Sequence, residues 1–135
     1  NFILKFRILR YWAAIILQKY KYRSTVYLFI FCQINIGKDP QKTGFTVEEL
    51  ECHVEQIKNF SNLKPEGIMT ILPNNINEKK RNKFFAKTKK TADKISKILN
   101  KPIEISMGMS GDYVEAIKNG ATMVRVGSKL YGSRK

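Results

Sequence analysis

From Thr25 onward the chain alternates apolar, β-branched runs with segments of helical periodicity, joined by short turn-rich connections, and it does so four times. Repeated strand-helix units of this kind have one stable arrangement, a parallel sheet flanked by helices. The fold class is therefore α/β.

The first strand runs from Val26 to Ile36 and is almost continuously apolar, as expected of a strand covered on both faces. After the loop Gly37 to Gly44, Thr46 and Glu49 have the spacing of a capping box, and Val47, Leu50, Val54 and Ile57 keep one helical face apolar. The second strand spans Gly67 to Leu72 and stops at Pro73 and the Asn74-Asn75 pair. Asn77 then caps a long helix striped with Phe84, Phe85, Thr88, Ala92, Ile95 and Leu99. Ile103 to Met107 is the third strand, Asp112 to Lys118 the third helix with Asn119-Gly120 as its stop, and Thr122 to Val126 the fourth strand. Gly127 and Ser128 open a last short helix. Residues 1–24 stand apart from the unit 25–135. Phe2 to Leu17 is apolar on nearly every side, broken only by scattered basic residues, and reads as one helix that would need a surface to bury it.

A chain of 135 residues supports one core. Its net charge of +14 raises the question of an anionic partner. Residues 1–25 carry Lys5, Arg7, Arg10, Lys19, Lys21 and Arg23 and no acid, and a second basic cluster runs from Lys79 to Lys101. There the lysines fill the positions that the apolar stripe leaves free, so a solvated helix face is the ordinary reading. A basic RNA-associated protein using the 79–101 helix is the alternative, and nucleic acid is not the expected partner. With His53 the only histidine, a histidine-rich metal site is excluded, and Cys32 and Cys52 have neither the spacing nor the company of metal ligands. Both read as reduced thiols, which suggests the cytoplasm. The longest apolar runs, Tyr11 to Leu17 and Val26 to Cys32, fall far short of the roughly 18 residues of a membrane span.

Ligands of parallel α/β folds gather at the carboxyl ends of the strands. Two such ends carry suitable chemistry. Ser106 to Ser110 places a hydroxyl and backbone amides at a helix start, and Gly127-Ser128 repeats the arrangement one unit later. Glycine and serine also serve ordinary turns, so the pattern alone supports an anion site only weakly. Arg125 sharpens it, because a charge within the apolar strand Met123 to Val126 requires a partner. That partner is either a structural carboxylate or a ligand.

The string Ile105-Ser106-Met107-Gly108-Met109-Ser110-Gly111-Asp112, followed by Ala116-Ile117 and by Gly120-Ala121-Thr122-Met123-Val124-Arg125-Val126-Gly127-Ser128, resembles the signature of the YggS-like pyridoxal phosphate homeostasis proteins. Gln33 to Gly37 with Pro40 to Gly44, Glu66 to Ile71 and the ending Leu130 to Arg134 are similar to further motifs of that family, so the resemblance covers about residues 26–134. The family is similar to the amino-terminal barrel of bacterial alanine racemase. The resemblance implies strands five to eight of a (β/α)8 TIM-type barrel and pyridoxal 5'-phosphate as cofactor. It implies that Ser110, Gly127 and Ser128 hold the cofactor phosphate, with Met109 beside them, and that Arg125 faces the pyridine nitrogen. An arginine there keeps that nitrogen unprotonated and weakens the ring as an electron sink. Family members are regarded as cofactor-binding regulators without established catalysis, so no enzyme activity is expected.

The family's cofactor lysine lies at the end of the first barrel strand. No segment of this chain resembles strands one to four, no lysine present corresponds to it, and residues 1–24 resemble nothing in the family. An upstream frameshift or truncation is the expectation, with affinity resting on phosphate contacts and function impaired. A half-barrel also leaves two sheet edges unpaired, which predicts a homo-oligomer through those edges.

Overall fold

Every pair of neighbouring strands is parallel, and the strands lie in the order in which the chain makes them, β1-β2-β3-β4. The computed structural model describes residues 27–132. The segment 1–24, the start of the first strand and residues 133–135 lie outside them. The elements are β1 (Leu28–Ile34), α1 (Val47–Lys58), β2 (Leu63–Thr70), α2 (Glu78–Leu99), β3 (Glu104–Met109), α3 (Tyr113–Lys118), β4 (Met123–Arg125) and α4 (Ser128–Tyr131). This is the α/β architecture that the alternating pattern implies.

The core forms where strands meet helices. Ile34, Ile68, Ile105 and Met107 from the sheet are buried with Leu50, Val54 and Ile57 of α1 and Phe85, Ala92 and Ile95 of α2. Each of these side chains larger than Ala92 stabilises the fold by roughly 1.5–3 kcal/mol. The expected helix starts are realised. Thr46 Oγ1 accepts from the Glu49 amide at 3.1 Å while Glu49 Oε2 accepts from the Thr46 amide at 2.9 Å, and Asn77 Oδ1 accepts from the Lys80 amide at 2.9 Å.

The strand boundaries differ from those read in the sequence, each for a local reason. β1 ends at Ile34 rather than Ile36 because the Asn35 side chain organises the next loop, donating to the carbonyls of Asp39 (2.7 Å) and Lys42 (3.1 Å) and accepting from the Asp39 amide. β2 begins at Leu63, four residues before Gly67, and so contains Pro65. The register against β1 shifts just there, between Ile30 and Phe31, and an irregular position tolerates a residue with no amide hydrogen to donate. β3 continues through Gly108 and Met109.

Gly108 brings α3 onto the sheet. Its φ is +93°, and a Cβ there would stand 2.6 Å from the Ala116 Cβ and 3.0 Å from the Tyr113 Cα. α3 is fastened to α2 as well, by the Arg81 Nη2 to Glu115 Oε1 ion pair at 2.7 Å and by Asn119 Nδ2 donating to Asn82 Oδ1 at 2.7 Å. It stops as the sequence suggests, with Gly120 at φ +88° and the Ala121 amide reaching back to the Ala116 carbonyl. No helix of the described residues is long and apolar enough to cross a membrane.

Candidate functional site at the strand ends

The loops after β3 and β4 are neighbours because their strands are neighbours, and they form the walls of one cleft of about 700 Å³. Met109, Ser110, Arg125, Gly127 and Ser128 all line it, together with Gly111, Tyr131 and Gly132. The two strand ends that the sequence offers as separate anion sites are thus one site. Ser110 joins them, since its Oγ accepts from the Gly127 amide at 3.2 Å and from the Lys129 amide at 3.4 Å.

The two loops contribute unequally. At the end of β3 the Met109 amide is not free, because Asp112 Oδ1 accepts from it at 2.7 Å. Asp112 makes no capping bond to α3 and instead puts a carboxylate beside the loop. At the end of β4 the backbone is more accessible. Gly127 is exposed, and a Cβ added to it would meet nothing within 4 Å. α4 is a single turn of four residues, so individual amides and the Ser110 hydroxyl, rather than a long helix dipole, supply the attraction for an anion.

Arg125 turns towards Ser106. Nη1 donates to Ser106 Oγ at 2.6 Å and Nη2 to the Thr70 carbonyl at 2.9 Å. Thr70 in turn donates from Oγ1 to the Ile34 carbonyl at 3.0 Å, so one hydrogen-bonded chain crosses all four strands. Burial pulls the guanidinium below its ordinary pKa, and the charge of Asp112 works in the opposite direction. Arginine nevertheless keeps its proton at neutral pH. Among the described residues no carboxylate forms an ion pair with it. Among the described residues its partners are a serine hydroxyl and a backbone carbonyl rather than a structural carboxylate.

Thr70 and Asp112 are contributors that the sequence did not assign to the site, and Ser106, named there only as the start of a strand-end segment, proves to anchor Arg125. Ser106 carried a signal, as a buried hydroxyl in the strand next to one bearing an arginine. The Thr70 carbonyl carried none, being a backbone group 55 residues from Arg125.

The parallel sheet with helices gathers a hydroxyl, exposed loop backbone and one anchored guanidinium at its strand ends, where α/β folds place their ligand sites. The chain belongs to the alanine racemase N-terminal domain family, whose model matches residues 8–135. The pyridoxal phosphate homeostasis protein of Synechocystis sp. is 44% identical over 103 residues, covering 76% of this chain and 47% of that protein. PipY of Synechococcus elongatus PCC7942, in a structure with PLP bound, superposes with a TM-score of 0.71 at 25% identity over 88% of this chain and 52% of that one. The alanine racemase of Corynebacterium glutamicum shares the fold, with a TM-score of 0.65 at 16% identity over 90% of this chain and 33% of that one.

These likenesses bear out the resemblance to the YggS-like branch, and the four βα units are part of a TIM-type barrel. The chain spans about half the length of the curated relatives it matches. The family match begins at residue 8, within the segment 1–24, and what that segment does lies outside the described residues.

Proposed function

We propose that this chain serves a pyridoxal phosphate-binding protein of cofactor homeostasis with no catalysis of its own. The observation that carries the reading is the convergence of Ser110, Arg125, Gly127 and Ser128 on one cleft. The names of the relatives and the PLP bound to PipY support it. In this reading Ser110, Gly127 and Ser128 hold the phosphate, the Gly127 amide exchanging its bond to the Ser110 hydroxyl for one to the ligand, and Met109 borders the ring. Arg125, oriented by Ser106 and the Thr70 carbonyl, presents its guanidinium to the pyridine nitrogen. When bound, the group supplies an aldehyde that condenses with amines and a ring that draws electrons from what is attached. Arg125 weakens that electron demand by keeping the nitrogen unprotonated, which suits carriage better than transamination. No lysine of this chain takes the role of attachment residue, so the hold is noncovalent, rests on the phosphate contacts and is weak. Copies of the chain associate through the outer strands β1 and β4, where Phe29 (64% exposed) and Met123 (44%) reach solvent.

An absorbance titration with pyridoxal phosphate, followed by borohydride reduction and peptide mapping, tests this. Saturable binding weakened at least tenfold by Arg125→Leu and by Ser110→Asp is expected, with no single lysine labelled. Binding that both substitutions leave unchanged overturns the site. A reduced adduct on one specific lysine overturns the noncovalent hold.

A further inference from the structure

Lys80, Lys83, Lys87, Lys90, Lys94 and Lys97 follow one another along α2 at alternating spacings of three and four residues, and all are exposed. That spacing makes them one stripe, opposite the buried face of Phe85, Thr88, Ala92 and Ile95. The stripe covers about 25 Å of helix at 1.5 Å per residue. Lys94 pairs with Glu51 at 2.9 Å, but among the described residues no carboxylate forms an ion pair with Lys83, Lys87 or Lys90.

A merely solvated helix face has no second wall. Here the loop after β1 supplies one. Ile36 and Lys38 stand across a groove of about 540 Å³ from Lys83, Phe84, Lys87 and Lys90. Lys38 is held in the left-handed region at φ 53°, its amide bonded to the Asn35 carbonyl, so a fourth lysine from a separate element is fixed at the groove. Glu48 is a counter-charge that feels two of these lysines. Its carboxyl lies below the ordinary range, first through a hydrogen bond from its own backbone and then, against the opposing effect of burial, through the charges of Lys38 and Lys87. The lining holds four lysines and no carboxylate, which leaves the groove positive. It shares no residue with the cleft around Ser110.

We propose that this groove, continued by the α2 stripe, binds the sugar-phosphate backbone of a single-stranded nucleic acid without base specificity. A phosphorylated metabolite would engage one or two lysines, whereas successive lysines advancing about 5 Å along the axis match a chain of repeating charges. Phe84, with the Lys80 ammonium 5.8 Å from its ring centroid, adds an aromatic surface to the groove wall, as single-strand binding grooves use.

The test is fluorescence anisotropy of a labelled 20-nucleotide oligouridylate with the full chain, from about 50 to 200 mM salt. Lys83→Glu with Lys87→Glu is compared with Lys58→Glu and Lys118→Glu, which change net charge equally at exposed sites elsewhere, and circular dichroism checks that both variants are folded. At least a tenfold loss of affinity and a shallower salt slope in the first variant, with less than a threefold loss in the second, are expected. Equal losses in both mean attraction by net charge alone and overturn the groove. So does a wild-type chain that fails to bind. Polyglutamate displacing the oligonucleotide at equal charge concentration would identify an acidic peptide as the occupant and overturn the assignment to nucleic acid.

Discussion

Arg125 and Ser106 meet between adjacent strands, the guanidinium donating from Nη1 to the serine oxygen at 2.6 Å. A neutral partner has a different consequence from a carboxylate. It fixes the direction of the side chain without cancelling its charge. With Nη2 on the Thr70 carbonyl, two of the five N–H donors are used, and the rest stay available to an acceptor entering the cleft. Ser106→Ala removes the anchor and leaves a half-buried donor unsatisfied. A loss of about 1–3 kcal/mol in urea-unfolding stability is expected, together with weaker pyridoxal phosphate binding. A variant that loses neither would show that Thr70 alone orients the arginine.

Gly108→Ala tests how closely α3 approaches the sheet. The new methyl would stand 2.6 Å from the Ala116 Cβ on a backbone at φ +93°. Overpacking and backbone strain together are expected to cost more than about 2 kcal/mol in chemical denaturation. Gly111→Ala, with nothing within 4 Å of the added carbon, is the matched control and should stay within about 1 kcal/mol.

Acid should loosen α3 through Glu115. The hydrogen bond from Arg81 is the first cause that holds this carboxyl below its ordinary value of 4.5. A depressed folded pKa means that the stabilisation is fully present above the unfolded value and is lost as pH falls through the folded one. The difference in thermal midpoint between the wild type and Glu115→Gln should therefore be constant from pH 7 to about 5.5 and shrink below pH 4.5. The pair is partly exposed, so about 1 kcal/mol or less is at stake.

The two thiols should differ sharply in reactivity. Cys32 is buried in β1, and burial pushes its pKa up to about 11, whereas Cys52 is exposed on α1. A chromogenic disulfide reagent at pH 8 should titrate one thiol in the native chain and two after unfolding. Two rapid equivalents in the native state would show that β1 opens readily.

The parts of the fold that obey local rules were legible in the sequence. The capping box at Thr46 and Glu49, the Asn77 cap and the apolar stripes of α1 and α2 depend on residues within one or two turns of each other. The start of β2 was not, because Lys64, Pro65 and Glu66 interrupt the apolar run and only the irregular register against β1 accommodates the proline. The candidate site was legible as residue types at strand ends, and the five residues named from it line one cleft. Its wiring was not. That Ser110 joins both loops, that Asp112 occupies the Met109 amide and that Arg125 rests on a carbonyl of β2 are contacts that tertiary structure or loop conformation decides, not local residue type.

Among the described residues the buried hydrophobic core ends at Ala116, while Arg125, Gly127 and Ser128 all lie beyond it and are only partly buried or exposed. Apolar burial and the β4 wall of the cleft thus draw on different stretches of the chain. Substitutions at the exposed Gly127 and Ser128 can retune the cleft with little effect on the fold, so selection acting on stability alone would leave those two positions free to drift.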